Sequence, residues 1–443
     1  MENISNNSIS TLIDHIFFHL TGFEYKDQSI IRVNNEKLFI NGDLYFLPSL
    51  KLWKTILVDK LDCNENCTNI LQHCAHTGNT ELEQVEKINT NEKVFQSLIL
   101  ASNTWNLKIT KCTLQNERIC LFLERPSVMK TIINSVIQKG PSFGRNASIN
   151  ENICLTFLPD EQSELTSMRL QLIKDISERI LDLQGYSICK KVCPHSVVLT
   201  SKSHKETIED SKNYVCGVVK NSETNTKEIT LTWSKYIYNK IETIMELNEQ
   251  KYLETNKQDT NEDSFLRNMA EATVTFELLA VKPSRPVSIN IHTNTDRSLT
   301  NTKGAPFILY NTARIAAIIE KYNEGISNGE YPELTNIEAV DFSVLDDEDE
   351  WELIYNFIVG YSQAIENSIR HKPNFQICPQ VICMFLSRLC QKFSIYYRRI
   401  KILTEGYKHL YSKLIARIYM LKALEIILQN TLAIFNIKSV SRM

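Results

Sequence analysis

The sequence lacks any long hydrophobic run. Nowhere do roughly 20 apolar residues stand together, the length a helix needs to span a bilayer, so no membrane partner is expected. The first residues, Met1 to Ser8, carry no basic stretch and no apolar core. That speaks against a secretory or organellar leader and for a cytoplasmic location. A dominant charge sign is missing too: 49 Lys and Arg against 52 Asp and Glu leave −3. Counted whole, that balance does not point to nucleic acid, but such a footprint is judged domain by domain.

The phosphate-cradling patterns G-x-x-x-x-G-K-[ST] and G-x-G-x-x-G are absent, as is the nucleophile pattern G-x-S-x-G. No His stands with Asp or Glu at catalytic spacing, so no cofactor and no catalytic residue is expected. The twelve cysteines are scattered through a long chain, which fits reduced thiols better than a disulfide scaffold. Cys63, Cys67, His73, Cys74 and His76 are the right residue types for zinc. They lack the C-x2-C pairing of structural sites, and no metal is assigned to them. Cys189, Cys193 and His195 make a weaker case, since Cys378, Cys383 and Cys390 show cysteine to be common throughout.

What is present is length for two or three domains, with apolar residues enough for their cores. Ile9, Leu12, Ile13, Ile16 and Phe17 follow helical spacing. Lys37 to Ile40 and Asp43 to Phe46 read as short β pieces, and Asn64 to Asn91 as a polar loop. A strand at Arg118–Leu123 and a helix from Pro126 to Ile137 close a first region, 1–147. The second region, 148–247, has the order of a βαβ unit: strand Ile153–Leu158, helix Met168–Leu183 ended by Gly185, and the apolar piece Ser196–Thr200. Tyr214–Val219 and Glu228–Trp233 read as a hairpin, followed by a helix from Tyr236 to Leu247. The polar composition of 248–263 marks a connection. With a short helix, Phe265–Leu279, it makes up 248–300.

The last region, 301–443, is read as helical. Gly304 and Pro306 open a turn that feeds the apolar run Phe307–Tyr310. A helix follows, with Ile315, Ile318, Ile319 and Tyr322 on one face and Tyr310, Arg314 and Lys321 together on another. Pro379 starts a helix seamed by Ile382, Leu386, Leu389, Phe393, Tyr396 and Ile400. The final helix repeats the pattern from Leu414 to Phe435, and a short turn at Glu405 and Gly406 predicts that the two pack antiparallel. An acidic run, Asp346 to Glu350, reads as the solvated start of a helix.

Residues 391–443 hold ten Lys or Arg against Glu405 and Glu425, a local charge of +8. Arg388, Lys392 and Arg399 form a stripe away from the apolar seam, with Tyr397 and Lys401 beside it. Cations neutralise phosphates and tyrosine rings stack on unpaired bases, so RNA is the favoured partner. Two alternatives stay open: Tyr310 and Tyr397 closing the helix seam, and Arg314 buried in an ion pair with the acidic run.

Tyr310-Asn-Thr-Ala-Arg314-Ile315, Phe393-Ser-Ile-Tyr-Tyr397-Arg-Arg-Ile-Lys401-Ile-Leu403 and Ala416–Ile437 with the ending Arg442-Met443 resemble, in order and spacing, the DALR anticodon-binding domain of arginyl-tRNA synthetases. Lys401 stands where the family has arginine. Lys422 to Glu425 stands where the naming signature would fall. Upstream, Arg118–Arg145 resembles the end of the synthetase N-terminal domain, and Lys174–Tyr186 the helix after its ATP-binding H-x-G-H signature. Counting back along that helix puts Glu164 and Ser167 where the two histidines belong, and the lysine/serine-rich loop signature is missing from Gly217–Ile229.

The resemblance therefore implies an α+β multidomain chain. It would have a degenerate Rossmann-like α/β middle and an all-α DALR anticodon-binding helical bundle, and it would not be an enzyme. It resembles the eukaryotic family of DALR-domain proteins that bind arginine tRNA and partner a tRNA 3-methylcytidine methyltransferase. By the same match, Tyr310, Arg314, Tyr397 and Lys401 lie near the bases, while Arg388, Lys392, Arg398, Arg399 and Arg417 meet phosphates. The rival readings are a divergent synthetase that still activates arginine and a protein-only scaffold.

Overall fold

The structure is a computed structural model that describes residues 9–24, 30–55, 67–76, 89–190, 193, 195–202, 211–252, 262–290, 304–370, 375–404 and 407–439. In chain order the first elements are α1 (Ile9–Thr21), β1 (Ile31–Val33), α2 (Leu38–Asn41), β2 (Leu44–Phe46), α3 (Leu50–Lys54) and α4 (Ile70–His76). Then come α5 (Thr90–Ser102), β3 (Ile109–Gln115), β4 (Arg118–Leu123) and α6 (Arg125–Lys139). The middle holds β5 (Asn152–Phe157), α7 (Glu164–Leu183), β6 (Ser187–Ile188), β7 (Ser196–Thr200), β8 (Ser211–Val215) and β9 (Val219–Asn221). It continues with α8 (Trp233–Tyr252), α9 (Glu262–Leu279) and β10 (Val287–Ile289). The last part is α10 (Ala305–Ser327), α11 (Glu348–Leu353), α12 (Tyr361–Ser368), β11 (Ile369–Arg370), β12 (Gln376–Ile377), α13 (Gln380–Arg399) and α14 (Tyr411–Ile434). A π-helical segment, Ile354–Val359, joins α11 to α12.

The chain forms two compact units. One comprises Met1–Gln138, Pro332–Gln363 and Thr404–Ala423; the other comprises Lys139–Tyr331, Ala364–Leu403 and Leu424–Met443. The boundaries at 147, 247 and 300 do not coincide with this division, because the chain crosses between the units five times.

The first unit is built on an antiparallel sheet in the order β1-β2-β4-β3. Its polar centre is Asp43, whose side chain is fully buried. The Leu123 amide donates to Oδ2 and the Trp351 indole to Oδ1, both at 2.7 Å. The Tyr355 hydroxyl donates to the Asp43 carbonyl. Burial pushes this carboxyl up to about 6, against the lowering effect of those two donors. Lys37–Ile40 is not a strand: Leu38 is buried while Phe39 and Ile40 are exposed, and the segment turns as α2. The polar stretch 64–91 contains α4, and Asn89 caps α5 by accepting from the Asn91 amide.

The second unit contains the parallel sheet β6-β5-β7-β8, with α7 as the crossover between β5 and β6. This is the βαβ unit expected from the strand–helix–strand order, in the α/β region that the resemblance implied. Helix α7 begins at Ser163, whose hydroxyl accepts from the Thr166 amide at 3.2 Å. It ends where Gly185 takes φ +93°, with the Tyr186 amide returning to the Leu181 carbonyl. Its inner face, Leu165, Leu170, Ile173, Ile176, Ile180 and Leu181, is buried, each such side chain contributing about 1.5–3 kcal/mol.

Three readings of this middle region are corrected. Tyr214 and Val215 continue the parallel sheet as β8, and β9 pairs in parallel with β10, a strand not foreseen. The predicted hairpin is present only in part: the Glu228 amide donates to the Val219 carbonyl at 2.9 Å and Lys220 bridges Lys227 antiparallel, while beyond them the Glu228 side chain accepts from the Thr230 and Leu231 amides in a turn. Helix α8 also runs past Leu247 to Tyr252.

Around α9, helices α7, α8, α10 and α13 gather. The seam of α13, Ile382, Leu386, Leu389, Phe393 and Tyr396, is fully buried. Its closest helix neighbours are α10 and α9, so the seam expected to face the last helix faces α10, with the Cys390 thiol 3.9 Å from the Ile308 carbonyl. The turn at Glu405–Gly406 and the ending Arg442–Met443 lie outside the described residues.

Candidate nucleic-acid interface

Gly304 is the N-cap of α10 and Pro306 sits in its first turn, where a missing amide hydrogen costs nothing. The apolar run Phe307–Tyr310 is therefore itself helical rather than a lead-in. Ile308, Leu309, Ile315, Ile318, Ile319 and Tyr322 are buried. Tyr310 and Arg314, one turn apart, fall on the outer side, with Tyr310 47% exposed. The last turns of α13 place Tyr397 against the same spot, 39% exposed and tilted on buried Phe393.

Between the two helices Arg314 joins both rings. Its guanidinium carbon lies 4.4 Å from the Tyr310 ring centroid and 4.6 Å from that of Tyr397. Cation–π contacts of this kind are worth about 0.5–2 kcal/mol, and they hold both rings at the surface. The same side chain donates a long hydrogen bond of 3.5 Å to Asn311 Oδ1, while Asn311 Nδ2 donates to the Phe307 carbonyl at 2.8 Å. Arg314 makes no ion pair among the described residues. The tyrosines point out instead of closing the seam, a task left to Tyr396.

The remaining cations divide into two kinds. Arg398, Arg399 and Lys401 are exposed at or just past the C-terminal end of α13, while exposed Arg388 and half-buried Lys392 lie farther back along the helix. Arg398 Nε donates to the Ser394 carbonyl, which steadies it along the helix. Arg417 is different: it is 8% exposed, and its Nε donates to Glu350 Oε1 at 2.7 Å. Its charge is spent inside the protein. Asp349, Glu350 and Glu352 are buried correspondingly. The acidic run does start a helix, through a capping box on Asp347, but only Asp346 is well exposed; Asp349 and Glu350 are buried, Glu350 in the ion pair. Lys321 lies exposed farther along α10. Sequence reasoning missed Asn311, although its place three residues before Arg314 is the helical contact spacing.

At the C-terminal ends of β5 and β7, where α/β sheets bind ligands at their switch point, the polar groups are engaged with one another. Asp160 receives Lys227 Nζ at 2.7 and 2.9 Å and the Ser201 hydroxyl at 2.5 Å. Burial raises this carboxyl, but those bonds outweigh it and leave it below the usual range. Ser167 Oγ accepts from the Asp160 amide at 2.8 Å, and Glu164 accepts from the Trp233 amide at 3.0 Å. Buried Arg169 is held by the carbonyls of Leu278, Gly217 and Arg285.

Cys67 Sγ lies 3.0 Å from His76 Nδ1, and Cys63 is outside the described residues. Among those described, no group of three or more His, Cys, Asp or Glu is placed to hold a metal, and the cysteines are free thiols. No helix among them is long and apolar enough to cross a membrane.

Residues 308–443 match the family described as the DALR anticodon binding domain. Over 235 residues, 52% of the chain, the sequence is 29% identical to the Danio rerio protein named DALR anticodon-binding domain-containing protein 3, covering 41% of it. The Rattus norvegicus protein of that name is 30% identical over 177 residues, 39% of the chain and 32% of the relative. The match thus spans less than half the length of these relatives. The arginine–tRNA ligase of Borrelia hermsii is 28% identical over 204 residues, 45% of the chain and 31% of the ligase. In fold, the chain superposes on Thermus thermophilus arginyl-tRNA synthetase with a TM-score of 0.64 at 8% identity, over 98% of this chain and 100% of that one. The Plasmodium falciparum enzyme gives 0.56 at 9% identity, over 98% of each. Residues 308–443 are therefore similar to a DALR anticodon binding domain, on a chain with the fold of an arginyl-tRNA synthetase.

Proposed function

We propose that this chain is a non-enzymatic, cytoplasmic tRNA-binding adaptor. It recognises arginine tRNAs through the DALR domain and supports 3-methylcytidine formation in the anticodon loop by a partner methyltransferase. The observation that carries the tRNA reading is the Tyr310–Arg314–Tyr397 cluster beside the exposed cations of α13, inside the matched domain. Two exposed rings suit unpaired bases, and Arg388, Lys392, Arg398, Arg399 and Lys401 suit the phosphates that flank them. The arginine tRNA follows from the likeness to arginine–tRNA ligases, and the methyltransferase from family resemblance alone.

The non-catalytic part rests on chemistry at the start of α7. An acid and a hydroxyl, Glu164 and Ser167, stand where the synthetase signature has imidazoles, and both are engaged in local hydrogen bonds. The competing reading, a divergent arginine–tRNA ligase, draws on the fold likeness over almost the whole chain. Arginine-dependent ATP–pyrophosphate exchange separates the two. No exchange is expected, and measurable exchange refutes the adaptor. Binding of arginine tRNA at two salt concentrations, with a protein-only scaffold predicting none, tests the rest.

A further inference from the structure

We infer that Cys154 and Cys189 are a peroxide-sensitive thiol pair, a modification site in the parallel sheet that closes as a disulfide and is reopened by a dithiol. The observation is their place in the ladder. Ile153 of β5 pairs in parallel with Ile188 of β6, and the Cys189 amide donates to the Ile153 carbonyl at 2.9 Å. One step further along both strands therefore sets Cys154 and Cys189 side by side on one face. Neighbouring strands lie about 4.8 Å apart, inside the roughly 4.4–6.8 Å between Cα atoms that a disulfide needs. Both are free thiols, Cys154 buried and Cys189 half-buried.

The two positions suit different tasks. Cys189 is within reach of solvent and meets the oxidant, whereas burial pushes the Cys154 thiol up and keeps it from reacting first. The Cys189 thiolate attacks hydrogen peroxide: an S–O bond forms, the O–O bond breaks, and the hydroxide released takes up the thiol proton as water. The Cys154 sulfur then attacks the sulfur of that sulfenic acid. An S–S bond forms, the S–O bond breaks, and the oxygen leaves with the Cys154 proton as a second water. The pair has lost two electrons and the peroxide has gained them. Cys193 flanks Cys154 from the other side but is held in a turn. Its amide donates to Ser196 Oγ at 2.9 Å and its thiol to the Asn152 carbonyl at 3.4 Å, which leaves Cys189 as the partner. The bridge ties edge strand β6, and with it the end of α7, to β5.

The test treats the full, reduced chain with hydrogen peroxide, stops the reaction in acid, alkylates the remaining thiols in denaturant and maps the linked peptides by mass. A Cys154–Cys189 link should be the main product, and dithiothreitol should return the chain to its starting mass. Cys193→Ser should keep the link. Cys189→Ser should abolish it and leave Cys154 as a thiol. In urea the preference should vanish, because nearness in the sequence then favours Cys189 with Cys193. A folded wild-type chain whose main link involves Cys193 overturns the assignment, and that result needs no variant to fold. So does a chain in which Cys189 goes on to sulfinic acid while Cys154 stays a thiol, or one in which neither is oxidised. A Cys154–Cys189 link that dominates equally in urea overturns it as well, since the fold would then not make the pair. None of these outcomes depends on whether the chain binds tRNA.

Discussion

Arg314 and Arg417 are one residue type put to opposite uses. Arg417 is desolvated onto Glu350, and a buried pair that loses one partner leaves an uncompensated charge. Glu350→Ala should therefore cost about 3–5 kcal/mol, read as a fall in the denaturant midpoint. Lys413 pairs with Asp346 at the surface, where Asp346 is well exposed. Asp346→Ala should change stability by less than about 1 kcal/mol. Asp43 supplies a pH signature: burial pushes its folded carboxyl up to about 6, from an ordinary 3.8. A raised carboxyl binds its proton in the folded state first, so its stabilising contribution is fully present below pH 3.8 and lost as pH rises through 6. Compared with Asp43→Asn, the wild type should gain up to roughly 3 kcal/mol on going from pH 7 to pH 4. A flat difference across that range would show Asp43 to be ionised in the fold. Composition carried none of this, because burial of one carboxylate is set by what packs over it.

At the scale of elements, α7 was legible at its end and less so at its start. Gly185 stood out as a stop because only glycine relaxes at φ +93°, and a Cβ there would stand 2.1 Å from the Ala147 carbonyl oxygen. Gly185→Ala should destabilise by at least about 2 kcal/mol, from backbone strain and displacement of that carbonyl; an unchanged melting temperature would mean the loop at Ala147 moves freely. The helix starts at Glu164 rather than Met168 because Ser163 caps it and Thr166 Oγ1 accepts from the Val219 amide. That second bond comes from a strand 53 residues away, which no local pattern contains. The hairpin reading held only where Val219 and Lys220 meet Glu228 and Lys227, for the same kind of reason. The apolar run Tyr214–Val219 marks a strand, but pairing partners are chosen by the sheet. The seam of α13 named its buried side correctly, while its nearest neighbour, α10, was a matter of packing.

For the whole molecule, near-neutral net charge conceals a cationic end to α13. If Arg388, Arg398, Arg399 and Lys401 each displace one counterion from single-stranded RNA, log affinity should fall against log salt with a slope of about −3. Replacing Arg398 and Arg399 together with Gln should flatten that slope by about 1.4. A slope unchanged by the double substitution would move the phosphate track elsewhere. Sequence alone determined the parallel α/β middle, the long apolar-seamed helices and the motif Tyr310–Ile315, because these depend on periodicity and on residues adjacent in the chain. Only tertiary structure decided that Arg314 lies over Tyr397, 83 positions away, and that Arg417 is withdrawn onto Glu350. Two arginines with equal charge look alike in a sequence. Which one keeps its donors for a ligand depends on whether the fold brings it a carboxylate or an aromatic ring.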